Sequence, residues 1–338
     1  MKNQTAARFQ SYKDHVAQLN GVARAEGTLS FAVDPTVEQS LEGKVQESSD
    51  FLQAINIVSV DQQKGEKLGL GVTGPIASRT DTSNADRAPR DVQSMDKHGY
   101  DCAQTNFDTF YKYAMLDMWA KFPNFQVLLQ NQIVNRIALD RIMIGWNGNA
   151  RAADTDLVAN PLLQDVNVGW MQKMRLEAPA RVLNGVKVGK QAGADYNNMD
   201  AAVMDAGEGL DTWHRNSTDI VCICGNNLVA DKYLALTNDH DAPTERAAMQ
   251  MIQSNKQLGN RRTLVVPFFP DNAFMLTKLS NLSIYWQEGT RRRTIKDKPE
   301  RNRIDDFNSV NEDYIVEDLG ACTVFEGIRT PDGNGGWS

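Results

Sequence analysis

Between Asp61 and Asp101 the chain carries five glycines (65, 69, 71, 74, 99), two prolines (75, 89) and many Asp, Ser, Thr, Asn and Gln residues. Large apolar side chains are few. A stretch of about 40 residues without apolar anchors builds no core of its own, and structureless loops of that length are rare inside a compact domain. It reads either as a disordered segment or as an extended hairpin that borrows the surface of another chain. The rest of the 338 residues differ: the hydrophobic fraction is 41%, enough for a sizeable core. Length suggests two domains, or one large domain with arms.

The net charge of −7 excludes a chain that is basic as a whole and binds nucleic acid through that charge. No apolar run approaches the ~18–20 residues of a membrane span. Met1-Lys2-Asn3-Gln4 leads into no apolar segment, so neither a secretory signal nor a membrane partner is expected. The start at Met1 reads as that of a full chain. Cysteines at 102, 222, 224 and 322 are too sparse for a disulfide framework and suit synthesis in a reducing cytoplasm.

Periodicity places the other elements. Phe9, Tyr12, Val16 and Leu19 fall on one helical stripe, and Asn20-Gly21 supplies a stop. Asp34-Pro35 reads as N-cap and first residue of a second helix with Val37, Leu41 and Val45 on its apolar face. Ser48-Ser49-Asp50 starts a short helical turn, and Ile57–Val60 reads as a strand. Alternation resumes from Phe107 to Trp119, with Phe107, Thr109, Tyr111 and Tyr113 on one face. The longest helix signal runs from Pro123 to Ile144, with Gly145 and Gly148 at its end; about 21 residues span roughly 31 Å. A helix is expected over 165–177 and a loop around Gly185–Gly193. Residues 200–213, 227–236 and 242–256 read as helices. Residues 219–224, 263–267, 272–276, 282–286 and 313–317 read as strands. The fold class is α+β.

Motifs for chemistry are weak. Gly69-Leu70-Gly71-Val72-Thr73-Gly74 matches the dinucleotide string, but Pro75 follows at once where a helix N-terminus is needed. Cys222 and Cys224 are spaced for one strand face, without the second pair of a zinc site. The four histidines (15, 98, 214, 240) are scattered, and no nucleophile motif occurs. No cofactor, metal or catalytic residue is assigned, and the chain is read as not an enzyme. The alternative is a nucleotide-binding α/β enzyme built on Gly69–Gly74.

One charge pattern stands out. Residues 291–303 hold seven cations against Asp297 and Glu300, and residues 304–318 hold six acids and no cation. Two readings follow: a solvated hairpin whose arms neutralise each other, or complementary patches that pair between subunits. Contact of the arginines with nucleic acid is a third.

Several segments in fixed order carry a resemblance. They include Gln46-Glu47-Ser48-Ser49-Asp50-Phe51-Leu52, Lys64-Gly65-Glu66-Lys67, Leu116-Asp117-Met118-Trp119, Asn160-Pro161-Leu162-Leu163-Gln164-Asp165, Glu177-Ala178-Pro179-Ala180-Arg181-Val182 and Thr277-Lys278-Leu279-Ser280-Asn281-Leu282. The chain resembles the major capsid proteins of P-two-type temperate myophages (peduoviruses) from about residue 8 to about 328. That resemblance implies the HK97-like phage capsid fold. Residues 1–60 would be an N-terminal arm, 61–100 the extended β-hairpin loop, 101–194 and 277–338 a peripheral domain with spine helix 123–144, and 195–276 an axial α/β domain. It implies self-assembly into hexamers and pentamers of an icosahedral head, with another self-assembling phage part as the alternative. The implied partners are further copies, an internal scaffold that is also a protease, a portal at one vertex, and packaged double-stranded DNA held without sequence preference. The chain would belong to the virion and assemble in the host cytoplasm. Proteolytic trimming is expected near Leu29, Ser30, Phe31 and Ala32, removing about residues 1–31. Inter-subunit contacts are expected at Lys64, Glu66, Lys67, Arg79, Arg87, Arg90, Arg291, Arg292, Arg293, Arg301, Arg303, Asp305, Asp306, Glu312 and Asp313.

Overall fold

The computed structural model describes residues 1–22, 28–67, 77–84, 86–87, 99–119, 125–229, 257–331 and 336–337. Its first elements follow the sequence signals. Helix α1 (Asn3–Leu19) buries Phe9, Tyr12 and Val16, and Gly21 takes φ +64° just beyond its end. Leu19, predicted on the same stripe, is exposed. Strand β1 (Leu29–Ala32) precedes α2 (Pro35–Glu47), whose first turn is capped by Asp34 accepting from the Thr36 amide at 2.9 Å. Helix α3 (Asp50–Ala54) leads into β2 (Asn56–Val60), and β3 (Lys64–Glu66) pairs antiparallel with β4 (Gly99–Asp101). Strands β5 (Ala103–Asn106) and β6 (Thr109–Lys112) follow. The predicted strand over 107–119 breaks here: Tyr113–Trp119 is helix α4, which buries Leu116. Met115, Leu116 and Met118 are good helix formers, and the alternation ends at Tyr113.

Helix α5 (Phe125–Asn147) is the longest element, and α6 (Trp170–Glu177) is five residues shorter at its start than predicted, since Asp165 to Gly169 form turns. The remaining elements are β7 (Val182–Asn184), α7 (Met199–Glu208), β8 (Ile220–Cys224), β9 (Gln257–Leu258), β10 (Arg261–Leu264), β11 (Phe274–Lys278), β12 (Leu282–Gln287), β13 (Arg292–Lys298), β14 (Arg303–Val316) and β15 (Thr323–Glu326). The helices expected over 227–236 and 242–256 fall mainly outside the described residues.

Two large sheets and the separate β3–β4 pair organise these elements. A seven-stranded sheet has the order β1-β13-β14-β12-β2, with β5 and β6 also on β14. Strand β14, at 14 residues, is its backbone and pairs with four others. A six-stranded sheet has the order β7-β15-β11-β8-β10-β9, so β7 and β15 join it from outside the 195–276 span. The main core fills the space between both sheets and the C-terminal half of α5, through Val134, Ile137, Ala138 and Ile142. Trp146 and Trp170 meet at 4.9 Å between ring centroids, which fixes α5 against α6. Gly145 permits that approach: a Cβ there would overlap the Trp170 ring. Strand alternation splits β8 between two cores. Val221 and Ile223 face the main one, while Cys222 and Cys224 face a second formed with α7. Both cysteines are packed core residues.

Candidate assembly surfaces

The arm rests on one face of the β13–β14 hairpin. Phe9, Tyr12, Val16 and Ala17 of α1 form one apolar cluster with Leu29, Phe31, Tyr111, Leu116, Ile295 and Ile304. Polar contacts help fix it: Arg293 Nη2 donates to the Tyr12 hydroxyl at 2.8 Å, the Lys2 amide donates to Asp117 Oδ1 at 2.9 Å, and the Asp34 amide donates to Asn20 Oδ1 at 3.0 Å. The residues expected at the processing site form β1, the edge strand of the seven-stranded sheet, in register Leu29 with Ile295 through Ala32 with Arg292. Leu29 and Phe31 point into the cluster, and Ser30 and Ala32 point out. The segment pairs there because its own alternation suits an edge.

The sign-segregated hairpin divides by strand parity. Arg293 and Asp306 lie on the arm-covered face and pair at 2.6 Å. On the opposite face Lys298 and Arg303 both reach Asp305, at 2.6 and 2.8 Å. The Lys298 bond is the main cause holding the Asp305 carboxyl below its usual range, despite burial. Arg292 and Arg301 are exposed with no ion pair among the described residues. Thus the basic and acidic arms neutralise each other in part within one subunit, and a cationic surplus remains on the outer face.

Three of the residues expected at subunit contacts are fully buried inside their own chain, which corrects that expectation for them. Arg291, Glu312 and Asp313 have 0% exposure. Arg291 pairs with Glu42 of α2, and its Nε lies 3.8 Å from Glu38. Arg141 of α5 donates to Glu42 at 2.5 and 3.1 Å and to Glu312 at 2.9 Å. Glu42 therefore joins the arm's second helix, the long helix and the hairpin. Burial pushes its carboxyl up, but the adjacent Arg141 and Arg291 outweigh this and hold it below the usual carboxylate range. Burial pushes Glu38 and Glu312 up instead. Asp313 takes Arg151 at 3.0 Å, Lys173 at 3.3 Å and the Asp101 amide at 2.9 Å. Glu38, Glu42 and Arg141 were not singled out from sequence. The available signal was Arg141 standing inside an apolar run, between Ala138 and Ile142.

Where β3 pairs with β4, Lys64 meets Asp101 at 3.1 Å in an exposed pair, and Glu66 is exposed. Lys67 turns inward and donates to Glu177 at 2.7 Å and to the Val316 carbonyl at 3.1 Å. Arg79 and Arg87 are exposed. Arg90, the Gly69–Gly74 string, His98 and His240 lie outside the described residues. Among the described residues there is no cluster of three His, Cys, Asp or Glu side chains fit for a metal, and no helix is long and apolar enough to cross a membrane.

Comparison with known proteins gives a full-length match. The family model described as "Phage major capsid protein, P2 family" covers residues 8–328. The "Capsid proteins" of Escherichia phage P2 are 43% identical over 346 aligned positions, covering 98% of this chain and 96% of the relative. The "Major capsid protein" of Serratia phage KSP20 is 40% identical, covering 97% of each. Among solved structures, a chain from the "Satellite phage P4 procapsid including size determination (Sid) protein" superposes with a TM-score of 0.81 at 41% identity. That match covers 98% of this chain and 99% of the other.

Proposed function

Because this chain belongs to the P2 family of phage major capsid proteins, we propose that its copies form the hexamers and pentamers of an icosahedral head around double-stranded DNA. The first product is a procapsid built on an internal scaffold that is also a protease. Trimming then removes about residues 1–31, and one vertex takes a portal. The seven-stranded sheet with α5 serves as the peripheral unit, the six-stranded sheet as the axial unit, and residues 61–100 as the loop laid over a neighbour. Shells of this kind close because many modest interfaces act together.

The full-length likeness to a procapsid chain carries this reading. The arm supports the trimming step. It is held by one strand edge, one apolar cluster and a few polar contacts, and α2 keeps its own cap at Asp34, downstream of the expected cut. Losing residues 1–31 therefore keeps the Asp34 cap on the Thr36 amide, although the Asp34 amide loses Asn20 Oδ1 as its acceptor. Electron microscopy and intact-mass measurement test the reading on the full chain, expressed with and without the scaffold protease. Round particles are expected, with loss of about the first 31 residues only when the protease is present. Full-length N-termini in DNA-filled particles refute the trimming step, and tubes refute the shell.

A further inference from the structure

Two exposed surfaces of this subunit are opposite in charge, and each carries exposed apolar side chains. The first is the outer face of the β13–β14–β6 ribbon. Register puts Lys296, Asp305 and Phe110 in one row and Lys298, Arg303 and Lys112 in another; Arg292 and Phe307 share that face. Asp305 is its single acid against five cations. Phe110 is 52% exposed and Phe307 39%, with the Arg303 guanidinium 4.7 Å from the Phe110 ring centroid. The α1 helix covers only the opposite face.

The second surface is the loop between α5 and α6. From Ala152 to Asn167 it holds Asp154, Asp156 and Asp165 and no cation. Leu157 is 65% exposed and Val158 93%. The tip is fixed in place. Asp156 accepts from the Val158 and Ala159 amides at 2.8 and 3.2 Å, and Asp165 accepts from the Asp156 amide at 2.7 Å and from Asn160 Nδ2 at 3.1 Å. A held loop that presents Leu-Val to water gains by covering them, and one that is already ordered loses little entropy on docking.

We propose that the Asp154–Val158 tip of one copy docks on the outer ribbon face of a second copy. Leu157 and Val158 cover Phe110 and Phe307, while Asp154 faces Lys296 and Lys112. The two surfaces differ and lie on separate parts of the subunit, so the contact is head-to-tail, the kind that propagates around a ring or lattice. This rests on the shell reading above and names one of its interfaces.

The test is charge exchange in the full-length chain. Sedimentation velocity and negative-stain microscopy read the assembled fraction of wild type, D154K, K296E and the D154K/K296E double variant. Asp154 and Lys296 are exposed and make no ion pair among the described residues, so each variant is expected to melt like wild type. Each single reversal is expected to lower the apparent association constant about tenfold or more, and the double variant to recover most of it. V158S is expected to weaken assembly without a change in salt dependence. Single variants that assemble like wild type overturn this interface while leaving the shell reading intact. So does a double variant no better than either single. A wild-type chain that stays monomeric at tens of micromolar with the scaffold protein present overturns both. If K296E lowers binding to double-stranded DNA and leaves assembly unchanged, the ribbon face belongs to nucleic acid and this contact is refuted.

Discussion

Glu42 is the residue whose loss the subunit should feel most. Its carboxylate is the shared partner of two guanidiniums, Arg141 and Arg291, and both arginines have 0% exposure. Replacing Glu42 with Ala leaves two buried cations short of their counter-charge. Breaking a buried ion pair by removing one partner costs about 3–5 kcal/mol. At about 2.1 cal/mol/K per residue, a 338-residue chain has an unfolding entropy of roughly 0.7 kcal/mol/K, so Tm falls by about 4–7 °C. Calorimetry of E42A against E47A at one protein concentration measures this. Glu47 lies on the same helix but is exposed, and its loss should cost no more than about 0.5 kcal/mol. E42Q, which keeps the shape and one acceptor, should fall between.

The pH dependence follows from the same contacts. Glu42 titrates lower in the fold than when unfolded, so its contribution is complete above the usual carboxylate range and is lost as pH falls through its depressed value. Glu38 and Glu312 titrate higher in the fold, so their protonation favours the folded state as pH falls toward the usual range. The wild type should thus hold or gain stability on first acidification and lose it below the ordinary carboxylate range. E42Q should show a smaller second loss, because Glu42's share is gone while Asp305, also held below the usual range, keeps its own. If E42A melts within 1 °C of E47A, Glu42 is not the charge that neutralises Arg141 and Arg291.

Three further outcomes check other parts of the structure. Gly145→Ala should lower stability by about 1–3 kcal/mol and alter tryptophan fluorescence, because its Cβ overlaps the Trp170 ring. Asp34→Ala should cost about 1 kcal/mol in a thermal melt through loss of the α2 cap, whereas Asp34→Asn should cost little. Thiol titration at pH 8 should find Cys102 and Cys322 unreactive in the native chain and reactive in urea, since burial pushes both up to about 12.

Local signals were legible in the sequence. The stripe of α1, the Asp34-Pro35 start, the long helix ending at the glycines and the apolar strand at Ile220–Cys224 depend on neighbours within one or two turns. The ordered set of segments carried the family, while much of the core-poor stretch from Asp61 lies outside the described residues. The strand over 113–119 was misread because alternation and helical spacing overlap in a short apolar run.

The charged hairpin shows where sequence stops. Its sign pattern was visible, but a strand sends successive side chains to opposite faces. Arg291 and Arg293 therefore turn inward, to Glu42 and to Asp306 with Tyr12, while Arg292 faces water. Nothing in a string of arginines states that parity. Likewise Arg141 finds Glu42 across 99 positions, and Arg291 finds it across 249. Charge count and periodicity are properties of the chain, and the sequence determined them alone. Which charges are buried, paired or left outward depends on where separate elements stack, and only the tertiary structure decided that.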